Sequence, residues 1–277
     1  MTTLPQTAAF TTADGYSISY RHWQPGNQIK AIVVIVHGFN AHSGYYQWPA
    51  EQLIANGFEV FAIDLRGRGN SDGERFYIND YHELISDIDQ LVGIALSASP
   101  GLKVFLLGHS AGGVLSAIYT LPPSEKLSGF ICESFAFRFP APDFAIAALK
   151  GLSHLAPHAH VVKLKNEDFT RDPAAVEVMN NDPLIAHEVQ STKTIQQLAL
   201  ADEELKSRFN TIQLPLLILH GTADKATKPS GSEYFYEHAG SPDKTLKLYE
   251  GYYHDLLNDT GKEIVMKEII EWLKQRI

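Results

Sequence analysis

At 277 residues and 44% hydrophobic content, the chain suffices for one large domain with a proper core, or a domain carrying an insertion. The formal net charge is -9 and no run of basic residues offsets it, which argues against a nucleic-acid partner. The longest aliphatic run, Ala31 to Val36, is far too short to span a bilayer.

The opening Met1-Thr-Thr-Leu-Pro-Gln-Thr lacks the charged and apolar regions of a secretory signal. The single Cys132 excludes an internal disulfide. A cytoplasmic location is expected, with Cys132 an inert core thiol.

Residues 8–24 alternate weakly around Asp14-Gly15, which predicts an N-terminal hairpin. Ala31 to Val36 reads as a strand buried on both faces, ending in His37-Gly38-Phe39-Asn40. A helix is predicted from Pro49 to Gly57, then a strand over Glu59–Ile63 that runs into Asp64-Leu-Arg-Gly-Arg-Gly-Asn-Ser71. Asn79 is placed to cap a long helix with Tyr81, Leu84, Ile85, Ile88, Leu91, Val92 and Ala95 on one face. Val104–Leu107 is an apolar strand, followed by a helix that ends at Pro122-Pro123, and Phe130–Cys132 begins another strand.

From about 136 to 211 the rhythm breaks into a segment rich in Pro, His and Ala with no clear parallel strand. Alternation resumes at Leu214, with a helix near 230–239, a strand at Leu246–Tyr249, and a last helix opened by a Thr260/Glu263 capping box. Repeated strand-helix units imply an α/β protein with a mostly parallel sheet covered on both faces. The expected organisation is a core of residues 1–135 and 212–277, with 136–211 inserted as a lid over the strand ends.

One stretch organises the rest. Val104-Phe-Leu-Leu-Gly108-His-Ser110-Ala-Gly112 is a G-x-S-x-G between an apolar strand and a helix, the setting of a nucleophile elbow. By itself the motif arises by chance in roughly one chain in ten of this length, so the flanking strand and helix carry the inference. Gly108 and Gly112 are required because side chains there would collide with the neighbouring strand and helix.

A serine hydroxyl needs a base to take its proton and a third group to orient that base. Asp224, past the strand that ends at His220, and His254, past the final strand, answer in the order expected for this turn. Asp243, Asp255 and Glu133 are rival positions for the acid. His220 and His238 read as structural. His154, His158 and His160 lack a helical pairing because Pro157 intervenes, so no metal is expected. The N–H groups of Ala111 and Phe39 are placed to form an oxyanion hole, with His37 holding the turn.

With these residues in place the chain resembles the monoacylglycerol lipases and their lysophospholipase-like relatives among the α/β-hydrolases. The matching pieces span nearly the whole chain: His37-Gly38 with His42-Ser43-Gly44, Asp64 to Arg75, Gly108 to Gly113, Asn181-Asp-Pro-Leu-Ile185, Gly221 to Asp224, and Asp243 to Gly251 with Tyr253-His254. The resemblance implies an eight-stranded α/β-hydrolase fold, cofactor-free ester hydrolysis through Ser110, Asp224 and His254, and a lid over a lipid-accepting pocket.

The chain departs from that pattern beside the oxyanion loop. Ala41 and Tyr45 stand where those lipases carry a Glu and an Arg, and Phe39 replaces a small residue. Each hydrogen bond to substrate left unmade costs about 1–3 kcal/mol, so these changes weaken selectivity for a glycerol head group and leave the chemistry unchanged. Ala41, Tyr45, Phe135, Phe137, Phe144, Leu149 and Tyr253 are the candidate pocket residues.

The apolar segment Phe139–Leu155 reads either as a wall for an acyl chain that also meets a membrane surface transiently, or as a helix packed on the body. The expected partner is a small ester or lipid substrate. A short-chain or aryl carboxylesterase, a lysophospholipase, an amide or peptide hydrolase, and a non-catalytic ligand-binding module are the alternatives.

Overall fold

The computed structural model of the chain describes residues 4–121, 125–137 and 151–277. The first two strands, β1 (Gln6–Thr11) and β2 (Ser17–Trp23), form the expected hairpin, with Phe10 opposite Ile18. Then come β3 (Ala31–Val36), β4 (Phe58–Ile63), β5 (Val104–His109) and β6 (Gly129–Glu133). The short β7 (His160–Val162) and β8 (Gln190–Ser191) pair only with each other, antiparallel. The last two are β9 (Leu216–Gly221) and β10 (Lys244–Tyr249).

Eight of these strands make one sheet in the order β1-β2-β4-β3-β5-β6-β9-β10, parallel from β4 onward. Register aligns the carboxyl ends. Val36 lies opposite Gly108, Gly108 opposite Cys132, and Gly221 opposite Tyr249. The loops after β3, β5, β6, β9 and β10 therefore leave from one edge, where an open α/β sheet collects its ligand-binding residues.

Alternation within β3 explains the two-sided burial. Ile32, Val34 and Val36 enter one apolar cluster, and Ala31, Val33 and Ile35 the other. The first cluster is closed by α2 (Tyr81–Ala98), by α3 (Ala111–Tyr119), and by Leu198, Ala201 and Leu205 of a later helix, Thr192–Arg208. The second is closed by α1 (Gln47–Ala55) and by the last helix, Lys262–Lys274. Each fully buried aliphatic side chain contributes about 1.5–3 kcal/mol, so the sheet's central strands dominate the fold's stability.

Three boundary expectations fail for local reasons. The first helix begins at Gln47, not Pro49, because a tight turn over Ser43–Tyr46 feeds straight into it. Pro49 is accommodated in the first turn, where its missing N–H costs nothing. The cap of α2 is Asp80, whose carboxylate accepts the His82 N–H at 2.9 Å, rather than Asn79. The Thr260/Glu263 capping box does not form. The last helix is entered through Gly261 at φ 89°, and the Thr260 N–H goes to the Asp259 carboxylate instead.

Between β6 and β9 no described residue joins the main sheet. This stretch holds α4 (Pro173–Asn181) and α5 (Thr192–Arg208), followed in the chain by α6 (Pro229–His238) and α7 (Lys262–Lys274). Its two parts differ. α5 packs into the main core, whereas Phe169, Met179 and Ile185 form a small separate cluster above the sheet edge. Pro122-Pro123, Phe144, Leu149 and most of the apolar segment from Phe139 lie outside the described residues; residues 151–155 are helical.

Candidate active site

Ser110 sits between β5 and α3 at φ 56°, ψ -122°, backbone angles that few non-glycine residues adopt. Two close approaches impose this turn. A Cβ on Gly108 would lie 2.5 Å from Ser116 Oγ and 2.7 Å from the Gly112 carbonyl, and one on Gly112 would collide with the backbone carbonyls of Val36 and His37. The Ser110 N–H is held by the Glu133 carbonyl at 2.9 Å, and its own carbonyl accepts the first bonds of α3. The serine is thereby fixed at a helix N-terminus, where developing negative charge is favoured.

His254 follows β10 and is fully buried. Its Nδ1 lies 2.7 Å from Asp224 Oδ2. Among the described residues its Nε2 has no hydrogen-bond partner. The ring centres of His254 and His109, the residue before Ser110, are 4.8 Å apart, which brings the imidazole to the elbow. Phe169, from the stretch between β6 and β9, meets the His254 ring edge to face at 5.0 Å, and the Asp255 N–H bonds to the Phe169 carbonyl. The preceding residue is held as well, through Tyr253 N–H to Asp259 at 3.1 Å.

Asp224 is the acid that reaches His254, ahead of its rivals. One carboxylate oxygen takes the N–H groups of Ala226 and Thr227 at 2.7 and 2.9 Å. The other takes His254, the Thr227 hydroxyl at 2.7 Å and His220 Nε2 at 2.9 Å. Burial works to raise this carboxyl, but the His254 charge and the hydrogen bonds from both imidazoles outweigh it and hold Asp224 well below the ordinary carboxylate range. The role of His220 was not legible in the sequence. It is buried and pushed down by that burial, and its Nδ1 lies 2.7 Å from the Ser232 hydroxyl.

The rival acids are occupied elsewhere. Asp243 pairs with Arg276 at the surface. Glu133, Asp255 and His109 form a buried cluster whose donor atoms lie within 4.8 Å of one another. Burial raises both carboxyls of that cluster and lowers the imidazole, so it favours neutral groups over charges.

The loop after β3 lies against the elbow, where a Cβ on Gly38 would come 2.7 Å from Ser110 Cβ. His37 holds the turn as expected: its Nδ1 bonds to the Gly38 carbonyl at 2.7 Å, and its Nε2 accepts the Leu65 N–H at 3.0 Å. Among the described residues the N–H groups of Phe39 and Ala111 make no hydrogen bond. Ala41 is buried.

Other candidate pocket residues have found packing partners. The Tyr45 hydroxyl donates to Asp182 Oδ2 at 2.8 Å, and that carboxylate oxygen also meets His42 Nε2 at 2.8 Å, so the Tyr45 position is tied to the stretch between β6 and β9. Phe135 and Phe137 stack on each other at 5.6 Å and pack against Phe209 and Phe235 in the main core. Lys225 Nζ lies 4.0 Å over the Tyr253 ring.

A parallel sheet with a strained serine between strand and helix, and a histidine-carboxylate pair on later loops of the same edge, defines an α/β-hydrolase with a serine nucleophile elbow. A model of the family described as serine aminopeptidase, S33, matches residues 27–261, and the chain belongs to that family.

It is 33% identical over 269 residues to the monoglyceride lipase of Homo sapiens, covering 95% of this chain and 89% of that one. It is 30% identical over 267 residues to the monoacylglycerol lipase of Mycolicibacterium smegmatis, covering 96% and 95%. The solved structure of a soluble variant of the Saccharomyces cerevisiae monoglyceride lipase, in complex with a substrate analog, superposes with a TM-score of 0.89 at 26% identity, over 100% of this chain and 97% of that one. The chain is an ester hydrolase of the serine type. Among the described residues, no helix is long and apolar enough to cross a membrane.

Proposed function

We propose that this chain cleaves monoacylglycerol-like esters through Ser110, His254 and Asp224. The observation that carries the reading is the 2.7 Å contact between His254 Nδ1 and Asp224, which leaves Nε2 without a partner beside the elbow. With Nδ1–H donating to the carboxylate, Nε2 is the basic nitrogen. It takes the proton of Ser110 as the oxygen attacks the ester carbonyl. The N–H groups of Phe39 and Ala111 receive the negative charge on the carbonyl oxygen. His254 returns the proton to the departing alcohol, and water then releases the acyl group by the reverse path. Asp224 fixes the tautomer and balances the imidazolium.

The monoacylglycerol assignment is supported by the names of the relatives at 30% and 33% identity. A broader carboxylesterase is favoured by one observation. Ala41 offers no polar group beside the oxyanion loop, and the Tyr45 hydroxyl is already committed to Asp182. We read the exposed Leu152, Leu155 and Val178 of the inserted segment as the surface that meets lipid, and the lone buried thiol Cys132 as fitting the cytoplasm.

The test is an ester panel on purified protein: monoglycerides, lysophospholipids, and p-nitrophenyl and aryl esters of graded length, with aminoacyl amides alongside. A preference in kcat/KM for medium or long monoglycerides is expected. Preference for short or aryl esters with poor monoglyceride turnover overturns the substrate assignment and leaves the chemistry standing. Amide turnover above ester turnover overturns the ester assignment and leaves the roles of Ser110, His254 and Asp224 standing.

A further inference from the structure

We infer that Glu188, on the inserted segment, is a positioning residue for the oxyanion loop, held in place by a buried ion pair with Arg68. This rests on Phe39 being an oxyanion donor. Glu188 Oε2 accepts the N–H of Asn40, the residue after Phe39, at 3.0 Å across 148 residues of sequence. Glu188 Oε1 takes Arg68 Nε at 3.3 Å, Arg68 Nη2 at 3.2 Å and Gln190 Nε2 at 2.8 Å. The side chains of Arg68 and Glu188 are 1% and 0% exposed. The Arg68 guanidinium lies over the Phe39 ring, 4.6 Å from its centre.

These contacts bracket the Phe39 amide. On one side His37 holds the Gly38 carbonyl, the other half of the peptide that carries the Phe39 N–H. On the other, Glu188 holds the Asn40 N–H, and Asn166 of the same inserted segment accepts from Asn40 Nδ2 at 2.9 Å. Asn40 is kept at φ 49°, in the left-handed region, which sets the direction of the peptides on either side of it. With both flanking groups fixed, the Phe39 N–H has one direction to point.

Stability alone does not explain such a pair. Replacing two buried charges by apolar side chains of similar volume is often neutral or stabilising, whereas removing only one leaves an uncompensated charge. Glu188 also cancels the positive charge that Arg68 would otherwise bring next to Phe39. What the carboxylate supplies is an acceptor aimed at the Asn40 N–H from outside the sheet. The inserted segment thus completes the catalytic geometry instead of only covering it.

The experiment separates hydrogen bonding from charge with two double variants. Arg68→Met/Glu188→Leu removes both charges and the acceptor for Asn40. Arg68→Met/Glu188→Gln removes both charges and keeps an acceptor. Both are checked for thermal unfolding, for kcat and KM on an activated ester, and for the rate of Ser110 labelling by a fluorophosphonate. The leucine variant is expected to lose at least about tenfold in kcat and labelling rate, with KM within about twofold, because a displaced oxyanion donor acts mainly on the transition state. The glutamine variant is expected to recover most of that loss. Equal kcat and labelling rates in the two folded variants overturn the inference. A wild-type chain that the probe fails to label at Ser110 overturns the site reading underneath it.

Discussion

Ser110 and Phe39 stand on loops after neighbouring strands, β5 and β3, yet different forces hold them. At the elbow, backbone packing decides. Gly108 and Gly112 let α3 and the end of β3 close to distances that no side chain would fit, and the Ser110 N–H is pinned by the adjacent strand. At the loop after β3, side chains decide. His37 from below, with Glu188 and Asn166 from a segment more than a hundred residues away, fix a backbone that its own strand leaves free. The elbow is therefore held by the sheet and its own helix, and is tolerant of changes between β6 and β9. The loop after β3 is held from that stretch and should respond to them.

The sharpest way to break this comparison is at the elbow. Ser110→Ala removes the attacking oxygen and leaves every packing contact of the turn in place. Ester turnover should fall by roughly 10⁵–10⁶-fold, with no change in the far-ultraviolet circular dichroism or the melting temperature. An active Ser110→Ala protein that no longer reacts with a fluorophosphonate would refute the covalent mechanism.

A smaller effect is expected behind the pair on the later loops. Asp224 Oδ2 is shared by His254 and His220. By donating to that oxygen, His220 withdraws part of the charge that His254 would otherwise feel, and its bond to Ser232 fixes the carboxylate's angle. His220→Leu should lower kcat by about tenfold with KM within about twofold, because the carboxylate that orients His254 loses one of its fixed partners. His220→Gln keeps a donor at the same reach and should restore most of kcat. A leucine variant that is less stable but has an unmoved kcat would reduce His220 to packing.

The same contrast explains what the sequence disclosed. The parallel sheet, the strand-helix setting of Ser110 and the loops that carry Asp224 and His254 were legible because each depends on spacing within a few residues or on strand-helix rhythm. Glu188, Asp182, Asp259 and His220 were not. Each acts on a partner brought close only by the fold: Glu188 on Asn40, Asp182 on Tyr45 and His42, Asp259 on Tyr253, His220 on Asp224. The single local signal available was Thr227, three residues after Asp224, where an aspartate accepts the following N–H groups in a turn. Phe135 and Phe137 were expected at the pocket; their rings pack in the core with Phe209 and Phe235, partners brought close only by the fold.

The smallest effect concerns stability, and it tests how the turn after β3 is supported from below. His37 is fully buried, and that burial pushes its pKa down from 6.5 to about 4. Above pH 6.5 the imidazole is neutral in both folded and unfolded chains, and its two hydrogen bonds are fully available. As pH falls from 6.5 toward 4 the unfolded chain takes up a proton that the folded chain resists, so stability is lost across that window. Each such group contributes a slope of at most roughly 1.4 kcal/mol per pH unit. His109 and His220 are lowered in the same direction and add to the fall. Between about pH 7 and pH 5 these imidazoles pull the urea midpoint down, against Glu133 and Asp255, whose raised carboxyls favour the folded chain as pH falls, so the His37 share is read as a difference from a variant. His37→Gln places an acceptor near the Leu65 N–H and cannot titrate, so its drop should be shallower than that of the wild type. Parallel pH dependences in the two proteins would show that the turn under Phe39 does not depend on keeping His37 neutral.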